Sequence, residues 1–333
     1  MSALNGTWAV VLAAGDGTRL AALTRDAAGK VVPKQFCSLN GGQPLLHHAL
    51  QRAHHVAPPD RVCAIVSREH ACYWRRPLHS LPSGNIIVQP RNRGTAHGVL
   101  LSVLTILERD PLARIVFLPA DHFVLDESAL ARALRDLALH LRHNPDALTL
   151  IGIEPDDADP ELGYIVPDRA LSDGSRTVAR FIEKPPRLLA QRLIDTKALW
   201  NSFIFAATGA TLLTLLRARL PASVDDMSTA LARAAHASDQ AALTELYERL
   251  PTVDFSREVV QHGTTSLRVI RAPACGWNDL GTPRRVTETL RRLAAHAAHR
   301  GAPPYAGTAE DHSRDAPALV NFAEQHARLA LAG

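Results

Sequence analysis

The residues best suited to chemistry near the start of the chain are two glycines, an arginine and a lysine. An apolar, β-type run over residues 8–14 ends at Gly15, and Gly17, Arg19 and Lys34 follow it. Backbone N–H groups of a glycine loop after a strand can surround a phosphate, because glycine has no Cβ to keep the ligand away. Arginine adds a planar fork of donors and lysine a mobile point charge. The spacing predicts a phosphate-binding loop, with a structural turn as the alternative.

Two common glycine loops do not match this stretch. A P-loop needs a lysine directly after its second glycine, and Thr18 occupies that position. A dinucleotide-binding loop needs a third glycine where Leu20 stands. The lysine belongs instead to a Pro-Lys-Gln-Phe segment at residues 33–36, which follows a long connection.

A carboxylate follows the apolar run over residues 115–119. Asp121 stands just beyond the carboxyl end of this predicted central strand, where packing explains a charged residue poorly. Mg²⁺ takes one or two carboxylates together with waters and substrate phosphates. We therefore predict Asp121 as a metal ligand, with a helix cap as the alternative. The neighbouring His122 is more typical of a structural hydrogen bond.

A second pair of charged residues ends the predicted strand over residues 178–182. Glu183 can accept hydrogen bonds from two sugar hydroxyls, and Lys184 can pair with a phosphate. One strand end thus offers groups for both halves of a sugar phosphate. An exposed salt bridge is the alternative.

The composition is that of a globular protein. Of the 333 residues 46% are hydrophobic and 21% are charged, and no apolar run reaches the roughly 18 residues of a membrane helix. The chain enters a strand without a basic leader or a cleavage site, so we expect a soluble, cytoplasmic protein without a membrane partner. Its four cysteines form no Cys-x-x-Cys pair, which indicates buried or free thiols rather than a zinc site.

The net charge of +4 and the pI near 9.1 suit anionic substrates. They would also suit nucleic acid, and an Arg-rich helix is predicted over residues 283–300. A solvated basic face explains that helix better. We therefore expect no nucleic-acid partner.

Helical periodicity alternates with strand-like apolar runs along the chain. Helices are predicted over residues 45–56, 95–109, 130–141 and most of 212–250, and further strands over residues 61–67, 85–88, 147–153 and 267–271. This alternation predicts an α/β fold with a Rossmann-like mixed, mainly parallel sheet flanked by helices. We assign residues 1–290 to a catalytic domain and residues 291–333 to a C-terminal tail that is helical or partly disordered.

The chain resembles the sugar-1-phosphate nucleotidyltransferases over about residues 7–290. The glycine loop ending in Thr-Arg-Leu closely resembles their signature loop, and Pro-Lys-Gln-Phe points to the mannose-1-phosphate guanylyltransferase branch. Further motifs follow in family order: Pro-Ala-Asp-His at residues 119–122, Gly-Tyr-Ile at 163–165, Glu-Lys-Pro at 183–185, Trp-Asn-Ser at 200–202 and Trp-x-Asp-x-Gly at 277–281. Any one could be accidental, but the ordered set is specific.

The resemblance implies that the glycine loop wraps a nucleoside triphosphate and that the segment over residues 89–96 reads its base. In the family the arginine of the loop holds the outer phosphates and the lysine holds the reacting phosphate. Catalytic roles are thereby implied for Arg19, Lys34, Asp121 and Lys184. The nucleotide-binding residues implied are Ala13, Ala14, Gly15, Gly17, Thr18, Arg19, Lys34, Gln89, Arg93, Gly94, Thr95 and Asp121.

The same resemblance implies the sugar and metal sites. Asp279 matches the aspartate that is the second metal ligand of the family, and it joins Asp121 around Mg²⁺. The sugar-binding residues implied are Gly163, Glu183, Lys184 and Asn201.

We therefore expect a Mg²⁺-dependent enzyme that transfers a nucleoside monophosphate from a nucleoside triphosphate to a sugar 1-phosphate. The expected substrates are GTP and mannose 1-phosphate. Gly94 stands where guanylyltransferases have asparagine, and Phe203 stands where the family has glycine. The same chemistry on another nucleoside triphosphate or hexose 1-phosphate therefore stays open. A non-catalytic relative that binds sugar nucleotides is a further alternative. The protein could also form a homodimer.

Overall fold

The computed structural model describes residues 6–26, 28–39, 41–237, 240–263 and 266–299. Its strands are β1 (Thr7–Ala13), β2 (Val62–Ser67), β3 (Ile86–Gln89), β4 (Arg114–Pro119), β5 (Leu148–Ile153), β6 (Tyr164–Ala170), β7 (Arg176–Ile182), β8 (Leu199–Thr208) and β9 (Leu267–Arg271). Its helices are α1 (Leu45–Ala53), α2 (Ala71–Trp74), α3 (Thr95–Arg109), α4 (Glu127–His143), α5 (Arg187–Asp195), α6 (Gly209–Arg219), α7 (Pro221–Ala237), α8 (Gln240–Arg249) and α9 (Pro283–His299).

Within these ranges the nine strands form one sheet in the order β3-β2-β1-β4-β8-β5-β9-β7-β6, and β6 also pairs with β8. β1 lies inside the parallel half, between β2 and β4, and β2 pairs in parallel with β3. β1 fits there because almost all of its side chains are apolar and buried. The carboxyl ends of these four strands therefore meet at one edge of the sheet, where α/β proteins bind ligands.

The other half of the sheet is mixed. β8 is antiparallel to both β4 and β5, β5 and β9 are parallel, and β6 and β7 form an antiparallel pair. The predicted Rossmann-like mixed sheet is confirmed. β6 and β8 are not among the strands predicted from the sequence. β8 is buried over nearly its whole length, so it lacks the apolar–polar alternation that reveals a half-exposed strand.

Helices cover both faces of the sheet. One hydrophobic cluster packs α1, α4 and α5 against it, and a second packs α3, α6, α7 and α8 against the opposite face. Phe117, Phe205 and Phe255 stack in the second cluster, with ring centroids 4.8 and 4.9 Å apart. These stacked rings join β4, β8 and the segment after α8, which brings that segment to the ligand edge of the sheet.

The C-terminal helix crosses the domain boundary that the sequence suggested. α9 runs without interruption from Pro283 to His299, so residue 290 lies inside it. Residues 300–333, most of the predicted tail, lie outside the described part of the chain. The four cysteines are free thiols, with Cys72 exposed and the other three buried. None of the helices within the described ranges has the length and apolar character that crossing a membrane requires.

Candidate active site

A cleft of about 370 Å³ opens at the carboxyl ends of the parallel strands. It brings together many residues that the sequence places far apart: Ala14, Gly15, Arg19, Gln89, Gly94, Thr95, Asp121, Gly163, Glu183, Lys184, Asn201 and Asp279. Strand order explains this convergence, because β3, β2, β1 and β4 are consecutive parallel strands that end at one edge of the sheet, and β8 runs beside β4.

Five of the residues implied by the resemblance do not line the cleft in the described structure: Ala13, Gly17, Thr18, Lys34 and Arg93. Arg93 turns away from it and donates from Nε to the Tyr247 carbonyl (2.6 Å) and from Nη2 to the Glu248 carbonyl (3.0 Å). These carbonyls lie at the C-terminal end of α8, where a cation is favourable. Arg93 therefore holds α8 to the segment over residues 89–96 instead of facing the cleft.

The two glycines of the loop are required for different steric reasons. Gly17 has φ +63°, and a Cβ there would lie 2.9 Å from the backbone nitrogen of Lys34. A Cβ on Gly15 would meet no atom of the described structure within 4 Å, so its open side faces the cleft. Gln35 holds the loop, since Nε2 donates to the carbonyls of Ala13 (2.9 Å) and Gly15 (2.8 Å). Gln35 stands in the Pro-Lys-Gln-Phe motif but is not among the site residues predicted from the sequence.

Asp16 links the glycine loop to the segment over residues 89–96. Its Oδ2 accepts a hydrogen bond from Asn92 Nδ2 at 3.0 Å, and Asn92 Oδ1 accepts one from the backbone N–H of Gly94 at 2.9 Å. The Asn92 amide therefore fixes the two loops relative to each other.

Lys34 is a buried cation between the two aspartate segments. Its Nζ donates to the carbonyls of Asp279 (2.6 Å) and Leu280 (3.3 Å) and lies 3.0 Å from Asp121 Oδ2. Its side chain is only 6% exposed, so these contacts replace water around the ammonium group. Lys34 thus ties the end of β4 to the segment after β9.

The carboxylate of Asp121 is held between Lys34 and His122. Burial raises the pKa of Asp121, but Lys34 lowers it through its charge and its hydrogen bond, and the pKa lies below its usual value. Burial lowers the pKa of His122 to about 4, so the ring is neutral. Its Nδ1 accepts from Trp277 Nε1 at 3.2 Å, which leaves Nε2 directed at Asp121, 3.6 Å away. The hydrogen bond of His122 is therefore to Trp277, as expected for a structural histidine, and its Nε2 lies beside Asp121 beyond hydrogen-bond distance.

The second aspartate, Asp279, lies over a glycine. A Cβ on Gly281 would stand 2.2 Å from Asp279 Oδ2, which explains the glycine in this motif. Asp279 Oδ1 is buried and, in the described structure, has no hydrogen-bond partner. The described residues contain no group of three or more His, Cys, Asp and Glu side chains that could hold a metal by themselves. Two carboxylates with an orphaned oxygen suit a hard cation that takes its other ligands from phosphate and water, as Mg²⁺ does.

An arginine that the sequence analysis placed on a solvated face lies behind Asp279. Arg285, in the first turn of α9, is 3% exposed and contacts Asp159, which is 4% exposed. A signal was available, since Pro283 marks a helix start shortly after Asp279 and so places Arg285 in the first turn beside that segment.

The segment that the resemblance assigns to the base is shaped by the chain after α8. Gly94 has φ +83°, and a Cβ there would lie 2.2 Å from the Val253 carbonyl oxygen. Val253 donates to the Arg93 carbonyl and accepts from Ala96, both at 3.1 Å. The close approach of Val253 therefore explains the glycine at a position where guanylyltransferases have asparagine. Beside it, Gln89 Oε1 is buried without a hydrogen-bond partner among the described residues.

On the sugar side, Glu183 lies over Gly163. A Cβ on Gly163 would stand 2.6 Å from Glu183 Oε2. Burial and the negative charge of Asp254 raise the pKa of Glu183 to about 7, although Lys184 opposes that rise. Asp254 lines the same cleft. The backbone of Glu183 is fixed by Gln261, whose side-chain oxygen accepts its N–H at 3.0 Å.

Two non-glycine residues of this region have left-handed backbone conformations. Lys184 has φ +48° and Phe203 has φ +56°. The conformation of Phe203 explains why the family has glycine there. Its ring makes edge contacts with Phe205 (5.7 Å between centroids) and Phe255 (6.3 Å), and it lines the cleft. Strained residues of this kind persist where the surrounding structure holds them, often at functional sites.

Several known proteins are similar in sequence to this chain over most of its length. A family profile described as nucleotidyl transferase matches residues 8–296. A mannose-1-phosphate guanylyltransferase of Salmonella muenchen is 27% identical over 281 residues, and the xanthan biosynthesis protein XanB of Xanthomonas campestris is 28% identical over 299 residues. These matches cover 82% and 88% of this chain but only 57% and 61% of the two relatives. The chain thus spans about six tenths of their length.

Among solved structures, one described as a mannose-1-phosphate geranyltransferase from Thermus thermophilus has a TM-score of 0.74 at 29% identity. It covers 85% of this chain, which covers 79% of it in turn. The fold is that of an α/β protein with a mixed sheet flanked by helices, and the chain belongs to the nucleotidyl transferase family. Its predicted likeness to the sugar-1-phosphate nucleotidyltransferases of the mannose-1-phosphate guanylyltransferase branch is confirmed. Enzymes of this family generally use a divalent metal ion.

Proposed function

We propose that this protein transfers a nucleotidyl group from GTP to mannose 1-phosphate, giving GDP-mannose and pyrophosphate. The observation that carries the proposal is one cleft containing a glycine loop, two aspartates from separate strand ends, and a Glu-Lys pair. The substrates are those in the name of the guanylyltransferase relatives. GTP and mannose 1-phosphate are small anions. We therefore propose that the protein acts without a nucleic-acid or membrane partner, and we also propose a cytoplasmic location.

The glycine loop would bind the triphosphate. Gln35 occupies the carbonyls of Ala13 and Gly15, so the N–H groups of the loop remain for an anion. Arg19 lines the cleft with a half-exposed side chain that is paired with Glu161 at 3.3 Å. An exposed pair of this kind is weak, and a phosphate can replace the carboxylate as the partner of Arg19.

The base and the sugar would occupy opposite parts of the cleft. The buried, unpaired amide oxygen of Gln89 would gain a partner from a base edge, and such groups reject ligands that leave them unpaired. Glu183 and Asn201 would accept from sugar hydroxyls above Gly163. Lys184 would hold the phosphate of the sugar.

In the proposed reaction an oxygen of the sugar phosphate attacks the α-phosphorus in line. The bond from the α-phosphorus to its bridging oxygen breaks, and pyrophosphate leaves. The attacking oxygen is already anionic at neutral pH, so the chain need not supply a general base. Catalysis then rests on positioning and on neutralising charge.

Asp121 and Asp279 are the residues that would hold Mg²⁺. When bound, the ion would offset the negative charge of the phosphate groups of both substrates. Lys34 places a positive charge beside Asp121 and fixes the spacing of the two aspartate segments through its contacts with residues 279 and 280. We propose that it supports the charge developing at the α-phosphate from this position.

The same chemistry on another nucleoside triphosphate or hexose 1-phosphate is the second candidate. It is favoured by Gly94, which leaves no side chain to read the base, and by Phe203, which fills part of the sugar region.

The experiment is a measurement of pyrophosphate release with Mg²⁺ over a grid of nucleoside triphosphates and sugar 1-phosphates. A sharp maximum for GTP with mannose 1-phosphate would support the first candidate. A maximum for another pair would keep the chemistry and favour the second. If no pair releases pyrophosphate while nucleotide still binds, the chain is a binding protein and the proposal is wrong.

A further inference from the structure

The first turn of α9 buries one arginine while its neighbours stay exposed. Arg284 and Arg292 pair with Asp157 and Asp156 near the surface, each at 2.8 Å. Arg285 is instead 3% exposed, with Cζ 4.5 Å from the centre of the Trp200 ring. A buried guanidinium is tolerated only where carboxylates compensate it.

The two carboxylates near Arg285 lie at unequal distances. Arg285 Nε donates to Asp159 Oδ2 at 2.6 Å, but it lies 3.6 Å from Asp279 Oδ1, too far for a hydrogen bond. In the described structure both Asp279 Oδ1 and Arg285 Nη2 are buried without a hydrogen-bond partner. The two neighbouring side chains thus keep an unused acceptor and an unused donor within the described structure.

Asp159 is itself held in place. Its Oδ1 accepts the backbone N–H of Glu161 at 2.8 Å, while its Oδ2 holds Arg285. The Asp159 carbonyl accepts the Tyr164 hydroxyl at 3.0 Å. This carboxylate therefore determines where the guanidinium lies.

We propose that Asp159 is a positioning residue that keeps Arg285 from pairing with Asp279. Arg285 then offsets the buried charge of Asp279 from a distance, and the carboxylate oxygens of Asp279 stay available to a divalent cation. This inference rests on the metal role proposed for Asp279.

The physical basis is competition for one carboxylate. An Arg–carboxylate pair with two hydrogen bonds is strong and occupies the lone pairs that a metal needs. If Asp159 loses its charge, the guanidinium is free to close on Asp279. Removal of the guanidinium then removes the competitor.

The test measures Mn²⁺ binding to the whole protein by the EPR signal of free Mn²⁺, without turnover. Asp159→Asn keeps the shape and the acceptor for Glu161, and we expect it to weaken Mn²⁺ binding about tenfold or more, the scale for residues behind metal ligands. The double variant Asp159→Asn/Arg285→Met should bind as tightly as the wild type or tighter. If Asp159 and Arg285 only supported the fold, the double variant would bind no better than the single one.

Asp157→Asn is the matched control, because it breaks the neighbouring exposed pair with Arg284 and should leave Mn²⁺ binding unchanged. If Asp159→Asn does not fold, Arg285→Lys decides the question: its compact charge cannot close on Asp279 as a fork, so affinity should stay within about threefold of the wild type, below the loss expected for a supporting residue. A tenfold loss would overturn the inference.

Asp279→Asn separates the two proposals. Equal Mn²⁺ binding by the wild type and by Asp279→Asn would remove the metal role of Asp279 itself. If Asp279→Asn loses binding but Asp159→Asn does not, the metal role stands and the positioning role of Asp159 is wrong.

Discussion

The ammonium group of Lys34 lies 3.0 Å from the carboxylate of Asp121, and the same nitrogen donates a hydrogen bond to the backbone carbonyl of Asp279 at 2.6 Å. One buried cation therefore links the two aspartates that the sequence assigns to a metal, although residues 34, 121 and 279 lie far apart along the chain. A lysine suits this position because its compact charge can reach three acceptors at once.

Lys34→Met should lower the turnover number about 10²–10³-fold, the scale for removing one preorganised charge donor. Methionine keeps most of the buried stem, but it leaves three acceptors without their donor, so the variant should also unfold more readily. Pyrophosphate release at saturating substrates measures the first effect and thermal unfolding the second. Lys30→Met, at an exposed lysine of the same connection, should change neither. A folded Lys34→Met protein with near-normal turnover would contradict the role.

Gly94→Ala should destabilise the protein and weaken nucleotide binding. The backbone at Gly94 has φ +83° and ψ 168°, a region that is nearly confined to glycine and costs other residues about 1–3 kcal/mol. The added Cβ would also push Val253 away from the segment over residues 89–96.

Urea unfolding and the KM for the nucleoside triphosphate test this change. Gly84→Ala is the control, because a Cβ there meets no atom of the described residues within 4 Å and its φ is not positive. If Gly94→Ala matches Gly84→Ala in both measurements, the close approach of Val253 does not constrain this position.

Phe203→Gly and Phe203→Ala together measure backbone strain. Both remove the ring contacts with Phe205 and Phe255, but only alanine retains the cost of a left-handed conformation, about 1–2 kcal/mol. The glycine variant should therefore be the more stable of the two by about 1 kcal/mol in denaturant unfolding. Equal stabilities would mean that the backbone at residue 203 relaxes. Both variants should also accept bulkier sugar 1-phosphates, because the ring lines the cleft.

The activity should depend on pH through Glu183. Its pKa is raised to about 7, so kcat/KM for the sugar 1-phosphate should rise as pH increases through about 7 and the carboxylate gains its charge. Asp254→Asn removes the neighbouring negative charge, so it should move the midpoint to lower pH. Titration of the substrate phosphate cannot produce such a shift, and an unmoved midpoint would rule out Glu183 as its source.

Glu183 should also affect stability, with a definite sign. Its pKa rises on folding from an ordinary value of 4.5 to about 7, so between these values the folded state binds the proton more tightly. Stability therefore falls as pH rises through this range. In Glu183→Gln this part of the slope should vanish from the pH dependence of urea unfolding. Glu154→Gln, at an exposed glutamate, is the control.

Local pattern was enough to predict most of the strands and helices. The strand over residues 267–271 and the helix over residues 95–109 match their predicted bounds. β8 escaped prediction because a strand buried on both faces has no alternating pattern, and its antiparallel direction depends on its neighbours.

The sequence by itself determined which residue types were available for chemistry, because motif spacing reports local backbone geometry: a glycine loop after β1, and acidic residues after β4, β7 and β9. Only the tertiary structure decided where the side chains point. Arg93 turned to the end of α8, Lys34 lies beneath the aspartates, and Arg285 is buried behind Asp279. The reason is physical: a charged side chain takes the acceptors that the packed chain brings within reach, and those acceptors come from segments up to about 250 residues away.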